Sequence, residues 1–199
     1  MSNIPWWASE DMWRKWAIWI TAFMLVILIG LTFDSVSKIT AGHSAVPPYS
    51  VINKRIHYRH DAERGFEVPV IGGDAPLFGQ VLNEEEAQAL VSKGKLTVQS
   101  RNCMNCHTLL GNGAYYAPDL TKAWLDPGWG NEAAREQLMM MFLQDPTANA
   151  RTYGTNRRMP NLDITEEEAR AVIAFLKWMS AIDTNGFPRG FTPITQEEG

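Results

Sequence analysis

Cys103-Met104-Asn105-Cys106-His107 carries the densest chemistry in this 199-residue chain. Two thiols three positions apart can reach the two vinyl groups on one edge of a porphyrin and form thioethers. The next residue is then set beneath the iron, where a neutral imidazole nitrogen supplies the fifth ligand. The pattern therefore reads as covalent attachment of one haem c through Cys103 and Cys106, with His107 as an axial ligand. Other chemistries fit less well. A thioredoxin-like pair follows a strand, and no strand pattern precedes Cys103. Zinc needs further soft ligands, and His43, His57 and His60 are dispersed. His57 and His60 form H-x-x-H without helical context or a third ligand, so they read as solvated surface. The two thiols are the chain's only cysteines, too few for a disulfide framework or a four-thiolate metal site.

The sixth iron position draws attention to Met159, in Arg157-Arg158-Met159-Pro160-Asn161, where the proline extends the local backbone enough to present a thioether. Met139, Met140 and Met141 fall on a predicted helix, Met179 faces inward from another, and Met104 sits inside the attachment turn. No histidine follows His107, which disfavours bis-histidine ligation. Another ligand or an open position is the alternative. Pro118 is positioned to offer its carbonyl to the second nitrogen of His107, unless it is a simple turn proline. Arg157 and Arg158 are candidates to pair with haem propionates, or else a solvated pair. Phe175 and Trp178 read as core.

These residues need elements to hold them. Asn83 with Glu86, and Thr165 with Glu168, are capping-box pairs. The first opens a helix carrying Ala87, Leu90 and Val91 past Gly94. The second opens one in which Ala169, Val172, Ile173, Leu176 and Met179 recur at helical spacing. A third helix spans about 131–144, stopped by Asp145-Pro146. Residues 34 to about 82 lack helical periodicity and read as a linker with one or two short strands.

Trp16–Phe33 contains no charged side chain, and its 18 residues rise about 27 Å, close to the hydrocarbon thickness of a bilayer. Tryptophans crowd its amino-terminal end, where indoles favour the headgroup layer. The segment reads as an uncleaved transmembrane anchor. A cleaved signal ending near Ala41–Ala45 is the alternative, though the apolar run is long for one. The fold class expected is mainly α: one transmembrane helix, then a cytochrome c-like helical domain, with a small irregular or β insertion between them. The divisions are 1–40 (interfacial segment and anchor), 41–82 (insertion), 83–188 (haem domain) and 189–199 (tail). A formal charge of −4 leaves no basic stripe for nucleic acid. Haem c is attached on the outer face of energy-transducing membranes, which in a bacterium puts the domain in the periplasm and the anchor in the inner membrane.

Two blocks, Asn102–Leu120 (NCMNCHTLLGNGAYYAPDL) and Arg157–Pro188, resemble the small membrane-anchored cytochrome c subunit of bacterial nitric oxide reductase. The resemblance implies an electron-transfer role, with no NO-reducing centre in this chain. The expected donor is a soluble periplasmic cytochrome c or cupredoxin. The expected acceptor is a large multi-span catalytic subunit holding a low-spin haem b, a high-spin haem b and non-haem iron. It also implies a calcium ion at the subunit junction, to which the Gly113 carbonyl and the Tyr115 side chain would contribute. Asn112 departs from the acidic residue usual in the glycine loop, residues 121–156 match poorly, and the insertion is longer than expected. A haem-c subunit of an oxygen reductase, a free tethered carrier, and a sensor with an open iron site remain the competing classes.

Overall fold

A computed structural model describes residues 5–43, 45–149 and 157–191. The architecture is mainly α, with one long amino-terminal helix, a β-hairpin, and three helices joined by long loops.

Helix α1 (Glu10–Ile39) is 30 residues long, so it rises about 45 Å and extends beyond the Trp16–Phe33 run at both ends. Among the described residues it is the one helix long and apolar enough to cross a membrane, and none of its side chains is buried. Charge gathers outside the apolar run: Arg14 pairs with Asp11 at 2.6 Å before it, and Lys38 with Asp34 at 2.8 Å after it. The Trp13 indole N–H donates to the Trp7 carbonyl at 2.6 Å, so the aromatic end is locally ordered. A cylinder of exposed Ile, Leu, Val and Phe is stable only with apolar surroundings.

The insertion is more ordered than a linker. Strands β1 (Lys54–Asp61) and β2 (Phe66–Asp74) form an antiparallel hairpin in which Tyr58 faces Pro69 and His57 faces Val70. Alternation turns Ile56 and Tyr58 inward, where they join Val51, Ile52 and Leu77 in the same apolar core as the helices. His57 and His60, three apart on a strand, point to opposite faces. Among the described residues no group of three or more His, Cys, Asp or Glu could hold a metal ion. Polar bonds fasten the insertion like a strap. The Glu84 carboxylate accepts from the Tyr49 and Ser50 N–H groups at 2.7 and 2.9 Å. The Asn53 side chain exchanges two hydrogen bonds with the Leu82 backbone, at 2.7 and 3.0 Å. Arg64 forks onto Asp183 at 2.6 and 3.1 Å and reaches Asn185 at 2.7 Å. Tyr49 stacks on Trp178 with ring centroids 5.1 Å apart.

Helices α2 (Glu84–Ser100), α3 (Glu132–Gln144) and α4 (Glu166–Ser180) build the domain beneath the strap. Both expected capping boxes are formed, Asn83 with Glu86 and Thr165 with Glu168. Helices α2 and α4 cross at Gly94. A Cβ there would overlap the Ala171 carbonyl and lie 2.8 Å from Cβ of Phe175. Only glycine lets the two backbones approach this closely. One face of α4 is thereby fixed against α2; the strap lies against another.

Candidate haem-binding site

Helix α2 delivers the chain to the C-x-x-C-H turn. Arg101 caps it, and Asn102 adopts a left-handed conformation (φ 54°) that asparagine tolerates better than most residues. The reversal opens a tight 3-10 turn, Cys103–Asn105, and the His107 N–H donates to the Cys103 carbonyl at 2.9 Å. Both thiols and the imidazole therefore project from one turn.

The segment that follows exists to hold His107. Strands β3 (Thr108–Leu109) and β4 (Asn112–Gly113) form a minimal hairpin through Leu110-Gly111, both at positive φ (51° and 78°) as a two-residue primed turn requires. Gly113 returns so close that a Cβ would overlap the His107 carbonyl. The chain then folds back on itself. Ala117 N–H donates to the Cys106 carbonyl at 2.8 Å, and Leu120 N–H to the Thr108 carbonyl at 2.8 Å. Asp119 accepts from the Thr108 hydroxyl at 2.6 Å and from the Thr121 N–H at 2.8 Å. This ladder sets the Pro118 carbonyl 2.7 Å from Nδ1 of His107. A carbonyl only accepts, so Nδ1 carries the proton and Nε2 keeps its lone pair for a metal. Burial pushes the His107 pKa down and so favours the neutral ring, partly opposed by the Pro118 hydrogen bond. Burial pushes the Cys103 thiol up.

These groups open onto a cavity of about 570 Å³, well within the range of cofactor sites. Cys103, Cys106, His107 and Pro118 form one part of its wall. Val98 comes from α2, Met139 and Phe142 from α3, and Val172 and Leu176 from α4; Arg157, Arg158 and Met159 arrive on the loop before α4. The lining is mostly apolar, with two guanidinium-bearing residues on one segment. That chemistry suits a flat hydrophobic macrocycle whose edge carries two carboxylates, so the residues fit a haem. Every residue singled out for haem from the sequence lines this one cavity.

Arg101 carried no sequence signal as a positioning group, and Arg157, singled out for propionates, takes a second part. Arg101 clamps Glu168 through Nη2 at 2.8 and 2.9 Å and donates from Nη1 to the Leu162 carbonyl at 3.1 Å, tying the attachment turn to the start of α4 and the Met159 loop. Arg157 donates to the Tyr116 carbonyl at 2.6 Å and stacks over the Tyr116 ring at 4.8 Å, so it also braces the loop. Met139 is a second thioether in the cavity wall, shut almost wholly inside the core. Tyr115 is 80% exposed and its hydroxyl donates to the Gly111 carbonyl at 3.2 Å; Gly113 is exposed as well. Those two residues offer oxygen donors at the surface, fewer than the six to eight that calcium takes.

A covalent-attachment turn, a carbonyl-anchored histidine and a helix-walled apolar cavity define a c-type cytochrome, and residues 91–180 match the cytochrome c family. The C subunit of nitric oxide reductase from Stutzerimonas stutzeri is 35% identical over 111 residues, covering 56% of this chain and 73% of that protein. The corresponding protein of Halomonas halodenitrificans is 37% identical over 108 residues (53% and 69%), and that of Paracoccus denitrificans 34% over 113 (55% and 71%). The chain belongs to this family, the small C subunits of nitric oxide reductase.

Proposed function

We propose that this chain is the electron-entry subunit of a membrane nitric oxide reductase. It receives electrons singly from a soluble periplasmic donor, a small cytochrome c or a cupredoxin. It passes them to a large multi-span partner with a low-spin haem b and a paired high-spin haem b and non-haem iron, where two NO, two electrons and two protons become N2O and water. The NO chemistry lies in the partner. The observation that carries this reading is the convergence of Cys103, Cys106, His107, Pro118 and Met159 on one cavity in a chain with an exposed apolar helix.

When bound, a haem c supplies reversible one-electron chemistry at iron. The protein's part is to fix and insulate that group. Cys103 and Cys106 would hold the group through thioethers to its two vinyl positions, leaving no exchangeable cofactor. His107, held by Pro118, would offer Nε2 to the iron, and Met159 would offer a thioether. With both residues engaged, the group would have no open position for NO or CO, which favours relay over sensing. Arg157 and Arg158 would meet the propionates. A calcium ion at the subunit junction would take the Gly113 carbonyl and the Tyr115 side chain from this chain and its remaining donors from the partner. With α1 in the inner membrane, the cytochrome domain lies in the periplasm.

Gentle detergent purification of the tagged chain tests this. A co-purifying haem-b subunit with non-haem iron and NO consumption is the expected result. Copper and oxygen consumption in that complex, or a lone chain, would overturn the reading in favour of an oxygen reductase or a free carrier.

A further inference from the structure

Behind the cavity wall the protein buries a cation that the haem-binding machinery does not use. Leu120 and Ala123 line the cavity, whereas Lys122, between them, turns the other way and is 2% exposed. Its ammonium donates to the Ile182 carbonyl at 2.7 Å, just past α4, and to the carbonyl of Ser180, the last residue of α4, at 3.4 Å. The Tyr58 ring of β1 lies 4.9 Å from Nζ, and the Tyr58 hydroxyl also donates to the Ser180 carbonyl, at 2.9 Å.

Among the described residues no carboxylate is bonded to this lysine. Asp183, beyond α4, is the nearest acidic influence and is forked by Arg64 from the hairpin turn. Asp119, on the lysine's own loop, is held by the Thr108 hydroxyl and the Thr121 N–H. Its partners are carbonyl dipoles and an aromatic face, under a strap that keeps water out. A buried ammonium so placed is only marginally stable as a cation.

We propose that Lys122 exchanges a proton with solvent as the haem on the other side of this wall changes redox state. The inference rests on the haem reading above. Reduction removes one positive charge from the iron, so the lysine is more easily protonated in the reduced protein. The donor supplies the electron and bulk water the proton; no bond other than N–H is made or broken. Burial holds Lys122 down to about 7, Asp183 and Asp119 pulling weakly the other way, so the exchange falls near physiological pH. The sign is fixed. A protonated Lys122 destabilises the oxidised haem, so the potential is higher at low pH and falls as pH rises through this window.

The test is a spectroelectrochemical titration of the full-length haem-loaded chain in detergent between pH 5.5 and 9. At a fixed applied potential near the midpoint, the reduced-to-oxidised ratio should fall several-fold across the range. Lys122→Met should flatten that dependence and hold the ratio at the wild type's high-pH limit. An unchanged slope in Lys122→Met, or a pH-independent wild type, overturns the proposal. If the variant does not fold, nitrogen NMR of lysine-labelled wild-type protein decides, because the buried Nζ should titrate at higher pH in the reduced than in the oxidised protein. Equal titration in both states refutes it. Mass spectrometry of the same sample showing no covalent macrocycle would instead sink the haem reading itself.

Discussion

The ring nitrogen of His107 that faces Pro118 is committed to a carbonyl 2.7 Å away, so ligand strength at the other nitrogen depends on a residue eleven positions along the chain. Two thioethers lie within the cavity wall, Met159 and Met139, either of which could face a bound iron. The proposed haem reading assigns Met159, which lies on a loop braced by Arg157 and by the Arg101–Leu162 bond, while Met139 is packed on a helix. Met159→Ala should abolish the sulfur-to-iron charge-transfer band of the oxidised protein and open the reduced iron to CO. Retention of that band in Met159→Ala, with its loss in Met139→Ala, would reassign the ligand. The C-x-x-C-H turn could be read directly because type and spacing in one local segment carry its chemistry, and Met159, singled out from its proline-flanked loop, lines the same cavity. Arg101 could not, because its partner Glu168 is 67 residues away and nothing local marks the pair.

Helices α2 and α4 meet where Gly94 lies against Ala171 and Phe175, and the geometry of the cavity depends on that contact since Val98, Val172 and Leu176 reach it from the two helices. Gly94→Ala must push the helices apart. We expect a loss of about 2–3 kcal/mol, the usual range for overpacking, despite alanine's better helix propensity. Urea unfolding would show it as a lower midpoint; an unchanged or raised midpoint would mean that the crossing is looser than described. The starts of α2 and α4 were legible because each capping box spans four residues, and their cores because the apolar spacing is helical. The strap was not. Its strands pair across a turn and then bury Ile56 and Tyr58 against helices more than a hundred residues later, as in the bond from Tyr58 to Ser180, which local alternation does not reveal.

Across the molecule, the core beneath the strap contains cations where a small domain would ordinarily place aliphatic side chains. Lys177, 1% exposed, donates to the Ala75 carbonyl at 2.8 Å, and Arg135, 4% exposed, lies over Trp124. Burial holds Lys177 down to about 8 and Lys122 to about 7, whereas both return to about 10.4 when the chain unfolds. Between these values the unfolded state binds more protons, so stability rises with pH, by at most about 1.4 kcal/mol per pH unit for each lysine. Urea midpoints should therefore climb from pH 7 to pH 9.5, and a flat or falling series would contradict the burial of these ammoniums.

The junction between anchor and domain is brief. Helix α1 ends at Ile39, and by Ala45 the chain is already pinned, its carbonyl accepting from the Asp183 N–H at 3.1 Å. Five intervening residues can stretch no more than about 18 Å. So short a mooring gives the domain little room to shuttle between distant sites: it is a fixed jetty at the end of the anchor, to which carriers would have to come under the proposed electron-entry role, and its local concentration at any neighbour of that anchor is set by tether length as much as by contact affinity.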